Sequence, residues 1–163
     1  MKISQFNPRN ESTRFCSIPH PVQGEDLVDS DGVAIGFDVV SSNSKKANQL
    51  RREMREGILQ DKDTLAKELG RPDVGEAPTA EEKELLKAWE DEHLETFTTR
   101  ATEMVRLRMI YFLSECCVKM HGHIELDNGQ KAETPLQLFE TEEWVADRVY
   151  AFHNDLGNWV PKL

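Results

Sequence analysis

The sequence predicts a mainly α-helical fold: two long helices and short C-terminal helices, preceded by an N-terminal β-hairpin. Three observations carry this. Two long segments, within 42–121, place apolar residues three or four positions apart, which is the spacing of one helix face. The second of them opens on "TAEE" (79–82), a capping box with Thr79 as N-cap and Glu82 three residues in. Ahead of both, "VAIGFDVV" (33–40) sets Val33, Ile35, Phe37 and Val39 on one face, the two-residue period of a strand.

A chain of 163 residues suggests one domain over 1–163, with a core large enough to stand without staples. Within it we expect a hairpin segment at 1–41, two long helices at 42–121 with a linker at 70–79, and a loop and helices at 122–163. Apolar residues make up 38% and charged residues 31%, a polar balance that still leaves apolar patterns to fold on. The net charge of −10 repels phosphate, which disfavours general nucleic-acid binding.

Elements follow in order. Residues 1–12 are polar, carry Pro8, and read as loose. "RFCSI" (14–18) alternates as a short strand and pairs with 33–40 across a connection holding Pro19, Pro21, Gly24 and Gly32. Ser42 or Asn43 caps a first helix whose stripe is Ala47, Leu50, Met54, Ile58, Leu65 and Leu69. Gly57 weakens its middle, and Gly70 with Pro72 ends it. The second helix carries Leu85, Trp89, His93, Phe97, Ala101 and Val105 and runs to about Met120. Thr96, Thr98 and Thr99 lower helix propensity along the way. "DNG" (127–129) marks a turn. Thr134 caps a short helix with Pro135 at its first position and Gln137 at its third. Thr141 is expected to cap another, which Gly157 ends and which Trp144, Val145, Val149 and Phe152 line.

Four candidate chemistries fail, two on spacing and two on their setting. "DLVDSDG" (26–32) looks like a calcium loop, but that loop needs glycine at position six and glutamate at position twelve. From Asp26 the glycine falls at seven and the twelfth residue is Phe37, so a solvated hairpin turn fits better. Cys116, Cys117, His121 and His123 resemble zinc ligands, but adjacent cysteines on a helix point about 100° apart. A nucleophilic cysteine needs an electropositive, partly open setting, and Cys116 and Cys117 stand in the most apolar segment. Glu81 and Glu82 fall at a helix start, where capping and the macrodipole account for them. We therefore expect no catalytic group, no metal and no cofactor.

An odd cysteine count (Cys16, Cys116, Cys117) makes a poor disulfide framework and suits reduced thiols in a cytoplasm. The N-terminus has no apolar signal core, and the apolar run 104–118 is broken by Arg106 and Arg108, so we expect a soluble, intracellular protein with no membrane segment. Charge is unevenly spread. Residues 45–71 hold eight bases and five acids; residues 73–95 hold nine acids and two lysines. Such segments complement each other within one chain or between copies of it.

Two stretches together carry a family resemblance. The first, "HPVQGEDLVDSDGVAIGFDVVSSNSKKANQLRREM" (20–54), runs through a glycine turn, an apolar-acidic loop ending in Asp-Gly, a strand, a serine and a basic helix. The second, "LDNGQKAETPLQLFETEEWVADRVYAFHNDLGNWV" (126–160), runs from an acidic-glycine turn through a short helix to Trp144, Val149, Phe152 and Asn158-Trp159. In order and spacing they resemble the tail assembly chaperones of long-tailed, non-contractile bacteriophages.

The resemblance implies a helical, non-catalytic protein. It would bind the tape measure protein, keep that long rod soluble and help recruit tail-tube subunits. It would act in the bacterial cytoplasm and be missing from the mature virion. Partners implied are the tape measure protein, the tail-tube protein and copies of the chain itself. A long amphipathic rod exposes apolar stripes that need covering. Trp144, Val149 and Phe152 stand at core spacing, which leaves Leu136, Phe139 and Trp159 as the expected partner contacts. The family also extends some chains by a −1 frameshift, and "VPK" (160–162) permits codons that slip. The alternative function is an acidic inhibitor or DNA mimic, which an acidic face would support.

Overall fold

The computed structural model describes residues 13–126 and 128–159. The expectations for residues 1–12, for Asp127 in the "DNG" turn and for the "VPK" tail lie outside these. Seven elements follow in order: β1 (Thr13–Ser17), β2 (Gly36–Val40), α1 (Lys45–Glu68), α2 (Ala80–Cys116), β3 (Cys117–His121), α3 (Pro135–Thr141) and α4 (Glu143–Asn154), then a 3₁₀ turn, Leu156–Asn158. The protein is mainly α with one small antiparallel sheet. Among the described residues no helix is long and apolar enough to cross a membrane. Length suggested one domain; backbone contacts group the chain into two compact units, to which both long helices contribute.

One unit takes the residues up to Arg52 and those from Ile110 on. Its sheet has the order β1-β2-β3. The expected hairpin is present, with Phe15 opposite Asp38 and Cys16 opposite Phe37. The third strand is a correction. The second helix stops at Cys116, and the chain passes straight into β3, which pairs Gly36 with His121 and Asp38 with Lys119. A bulge between Asp38 and Val39 shifts the register so that Cys117 faces Val39. The core holds Cys16, Phe37 and Val39 from the sheet, Leu113 and Cys116 from α2, and Leu138, Phe139, Val145 and Val149 from α3 and α4.

Three further boundaries are corrected. Ser44 caps α1, not Ser42 or Asn43: its hydroxyl oxygen accepts from Ala47 N at 3.0 Å. Thr141 closes α3, and its hydroxyl donates to the Gln137 and Leu138 carbonyls. Glu142 opens α4 without a side-chain cap, and Asp155 ends it two residues before Gly157. Thr134 does cap α3, accepting from Gln137 N at 3.3 Å.

The other unit is Glu53–Met109. Here the end of α1 and the start of α2 run antiparallel, because Leu69 meets Trp89 while Asp61 meets Arg108. The capping box forms as expected: Thr79 N donates to Glu82 Oε2 at 2.7 Å, and Glu82 N to Thr79 Oγ1 at 3.2 Å. α2 continues unbroken through Thr96, Thr98 and Thr99. The Trp89 indole donates to Leu69 O at 2.7 Å, and the Arg71 guanidinium lies over the same ring. Arg108 grips Asp61 with two nitrogens at 2.8 and 3.0 Å, which holds that carboxyl below its ordinary range.

Candidate functional site

The connection between β1 and β2 is itself folded. Ile18 N donates to Ile35 O, Leu27 N to Ile18 O and Ile35 N to Leu27 O, all within 3.1 Å. Isolated bridges join Pro19 to Asp26 and Val28 to Ala34, so the chain turns back twice on itself. Gly24 and Gly32 stand at the two tips with φ of 74° and 76°. A Cβ there would meet nothing within 4 Å, so the backbone angle, not crowding, asks for glycine.

Asp29 organises the second tip. Its Oδ1 accepts from Asp31 N and Val33 N, both at 2.9 Å, and its Oδ2 accepts from His123 N at 3.0 Å. These bonds favour the charged carboxylate and lower its pKa, the Val33 bond most. The tip is thus pinned to the loop after β3, and "DSDG" is a turn, as its spacing indicated. Ligand atoms of Asp29, Asp31 and His123 come within 4.8 Å of one another, but a cation would compete with three N–H donors for the Asp29 oxygens. On the outside, Val22 is 87% exposed, and Val28 and Val33 are also exposed. Glu25, Asp26, Asp29 and Asp31 alternate with them along the chain. The connection thus carries exposed valines set among acids, suited to contact rather than to chemistry.

The three residues expected to meet a partner do not share a surface. Phe139 is fully buried, edge-on to Phe37 with ring centres 5.4 Å apart. Trp159 is 5% exposed and packs on Phe152. Leu136 is half-buried. Burial withdraws Phe139 and Trp159 as contacts open to a partner of the folded chain. Phe139 sits where the amphipathic pattern of a short helix is hard to phase, since Leu138 and Phe139 are adjacent and both face inward. Val149 is fully buried, and Trp144 and Phe152 are half-buried.

Cys16, Cys116 and Cys117 are free and buried. Burial pushes the Cys16 thiol up to about 11 and the Cys116 thiol up to about 12, with Cys117 raised further. A nucleophile or metal ligand needs the thiolate, which these sites disfavour. His121 stands apart from them: its ring meets Phe15 edge-on, and its Nε2 lies 2.9 Å from Asp38 Oδ2. That is ion-pair distance, though not aligned as a hydrogen bond.

The residue that sequence reasoning passed over is His153. It is fully buried, and its ring packs edge-on against Phe112. Its signal was positional: it follows Val149 by four residues on the same helix face. Comparison with protein-family models, with curated proteins and with solved structures finds no match for this chain.

Proposed function

We propose that the protein is a tail assembly chaperone of a long-tailed, non-contractile bacteriophage or prophage. It binds the tape measure protein, keeps that rod soluble and helps recruit tail-tube subunits. It acts by binding, in the cytoplasm of the bacterial host, and is absent from the finished virion. One observation carries the reading beyond the resemblance. The stretches 20–54 and 126–160, far apart in the chain, fall almost wholly within one compact unit, the first supplying β2 and its connection and the second α3 and α4. Motifs that belong to one ancestral unit are expected to pack this way, whereas chance similarities are not. The exposed valines of the connection, set among acids, suit the apolar stripe of an amphipathic helix while keeping the chaperone itself in solution.

The test is co-expression with the product of the long helical reading frame expected directly downstream. Soluble complex should appear only with the chaperone present. A rod that stays insoluble with and without it would sink the proposal. Replacing Val22, Val28 and Val33 together by serine should lower the yield of complex without changing the helicity of the chaperone alone.

A further inference from the structure

The loop after β3 carries a chemically labile bond that its own turn demands. Leu126 N donates to Gln130 O and Gly129 N to Leu126 O, both at 2.8 Å, and Ala132 N donates to Ile124 O at 2.9 Å. An isolated bridge joins Glu125 to Lys131. Gly129 holds φ at 76°, a backbone angle that favours glycine. The residue before it is Asn128, and of the seven asparagines in the chain Asn128 alone precedes a glycine. An asparagine side chain is an amide whose Cγ can be attacked by the next backbone nitrogen, closing a succinimide ring, and a side chain on that next residue hinders the closure. The glycine that the turn requires therefore removes the hindrance. Asn128 and Gly129 are both exposed, and a Cβ on Gly129 would meet nothing nearer than Glu125 Oε1 at 3.9 Å.

We propose that Asn128 is a modification site, converted spontaneously to aspartate and isoaspartate at a rate set by the opening of this turn. Gly129 N forms a bond to Asn128 Cγ and loses its proton to solvent base. The Cγ–Nδ2 bond breaks, and Nδ2 leaves as ammonia with a proton from water. Water then opens the ring. Cleavage of the new bond to Cγ restores the backbone as aspartate; cleavage of the bond between Gly129 N and the Asn128 backbone carbon leaves the chain running through Cγ, as isoaspartate. In the closed turn both reacting groups are engaged: Gly129 N by Leu126 O, and the side-chain amide through Oδ1, which accepts from Gln130 N at 2.9 Å. Reaction therefore waits on local opening. The product adds one negative charge to a chain already at −10. Isoaspartate also lengthens the backbone by a methylene, which moves Gln130 and Lys131 out of line with Leu126 and Glu125 and disturbs the seat of buried Ala132. This inference does not rest on the chaperone reading.

The full chain is incubated at mildly alkaline pH, in buffer and in urea, and Asn128 is followed by peptide mass mapping with chromatography that resolves isoaspartate. The native protein is expected to show the amide-to-acid mass gain at Asn128 and none at Asn43, Asn48, Asn154 or Asn158 over the same interval. Conversion should be several-fold faster in urea and should quicken as pH rises. Gly129→Ala, compared in urea so that its effect on the turn does not enter, should slow conversion several-fold. Native protein that keeps Asn128 intact while the urea sample converts overturns the proposal. So does conversion equally fast in both, which removes the turn from control, or a rate in urea indifferent to Gly129→Ala.

Discussion

Nδ1 of His153 lies 2.7 Å from the carbonyl oxygen of Val40. A carbonyl only accepts, so Nδ1 carries the proton, and the buried Nε2 has no hydrogen-bond partner. The bond fastens the last turn of α4 to the end of β2, and Ser42 N returns a bond to His153 O at 3.1 Å. Burial lowers the imidazole pKa below its ordinary 6.5; the Val40 bond opposes this, and the charge of Arg51, whose guanidinium lies over Phe112, adds to it.

This gives a signed pH dependence. Above the unfolded value both states hold neutral imidazole, and stability is complete. As pH falls below it, the unfolded chain takes up a proton that the folded chain refuses. Stability should then fall by up to about 1.4 kcal/mol per pH unit until the folded pKa is reached. Urea unfolding of the wild type and of His153→Gln checks it. The variant should be less stable at neutral pH and lack this slope; parallel curves would assign the loss to other groups.

Gly36 should tolerate no side chain. A Cβ there would collide with the Cys16 carbonyl and approach the Phe15 ring at 2.6 Å. The ring can swing but the backbone of a paired strand cannot. Gly36→Ala is expected to cost about 2–3 kcal/mol, seen as a lowered midpoint in urea.

Gly57 behaves differently, although it too is crowded. Its nearest neighbour is the Arg108 guanidinium, 2.6 Å from a would-be Cβ. That group is the end of a flexible chain. Removing a mid-helix glycine stabilises by about 1 kcal/mol, and a partly exposed ion pair such as Arg108–Asp61 is worth about as much. Gly57→Ala should therefore change stability by less than about 1 kcal/mol, while Gly57→Leu should destabilise clearly. Thermal unfolding of both separates propensity from crowding.

Phe139→Ala distinguishes a core role from a contact role. Removing a fully buried ring that packs on Phe37 should cost about 3–5 kcal/mol. Leu136→Ala, at a half-buried position, should cost far less. If Phe139→Ala unfolds at the wild-type midpoint, the ring is not in the core.

Features that depend on four or five neighbouring residues were legible in the chain. The capping box of Thr79 and Glu82, the Thr134 cap and the turn at "DSDG" follow from local rules, and each is present in the fold; the strand expected over 33–40 covers only Gly36–Val40, and Val33, expected on its apolar face, is exposed. The cap of α1 was missed because Ser41, Ser42, Asn43 and Ser44 are all competent caps, and only packing chooses among them.

What the sequence by itself determined is the mainly helical class, the hairpin and the caps of α2 and α3, because hydrogen bonds within a turn need nothing distant. What only the tertiary structure decided is the third strand, the burial of Phe139 and Trp159, and the place of His153. Residues 117–121 take a strand because β2 offers them an edge eighty residues away in sequence, where a helix would leave that edge unpaired. Likewise Leu136 and Phe139 look alike in a seven-residue helix, and it is the Phe37 ring, a hundred residues earlier, that draws one of them inside.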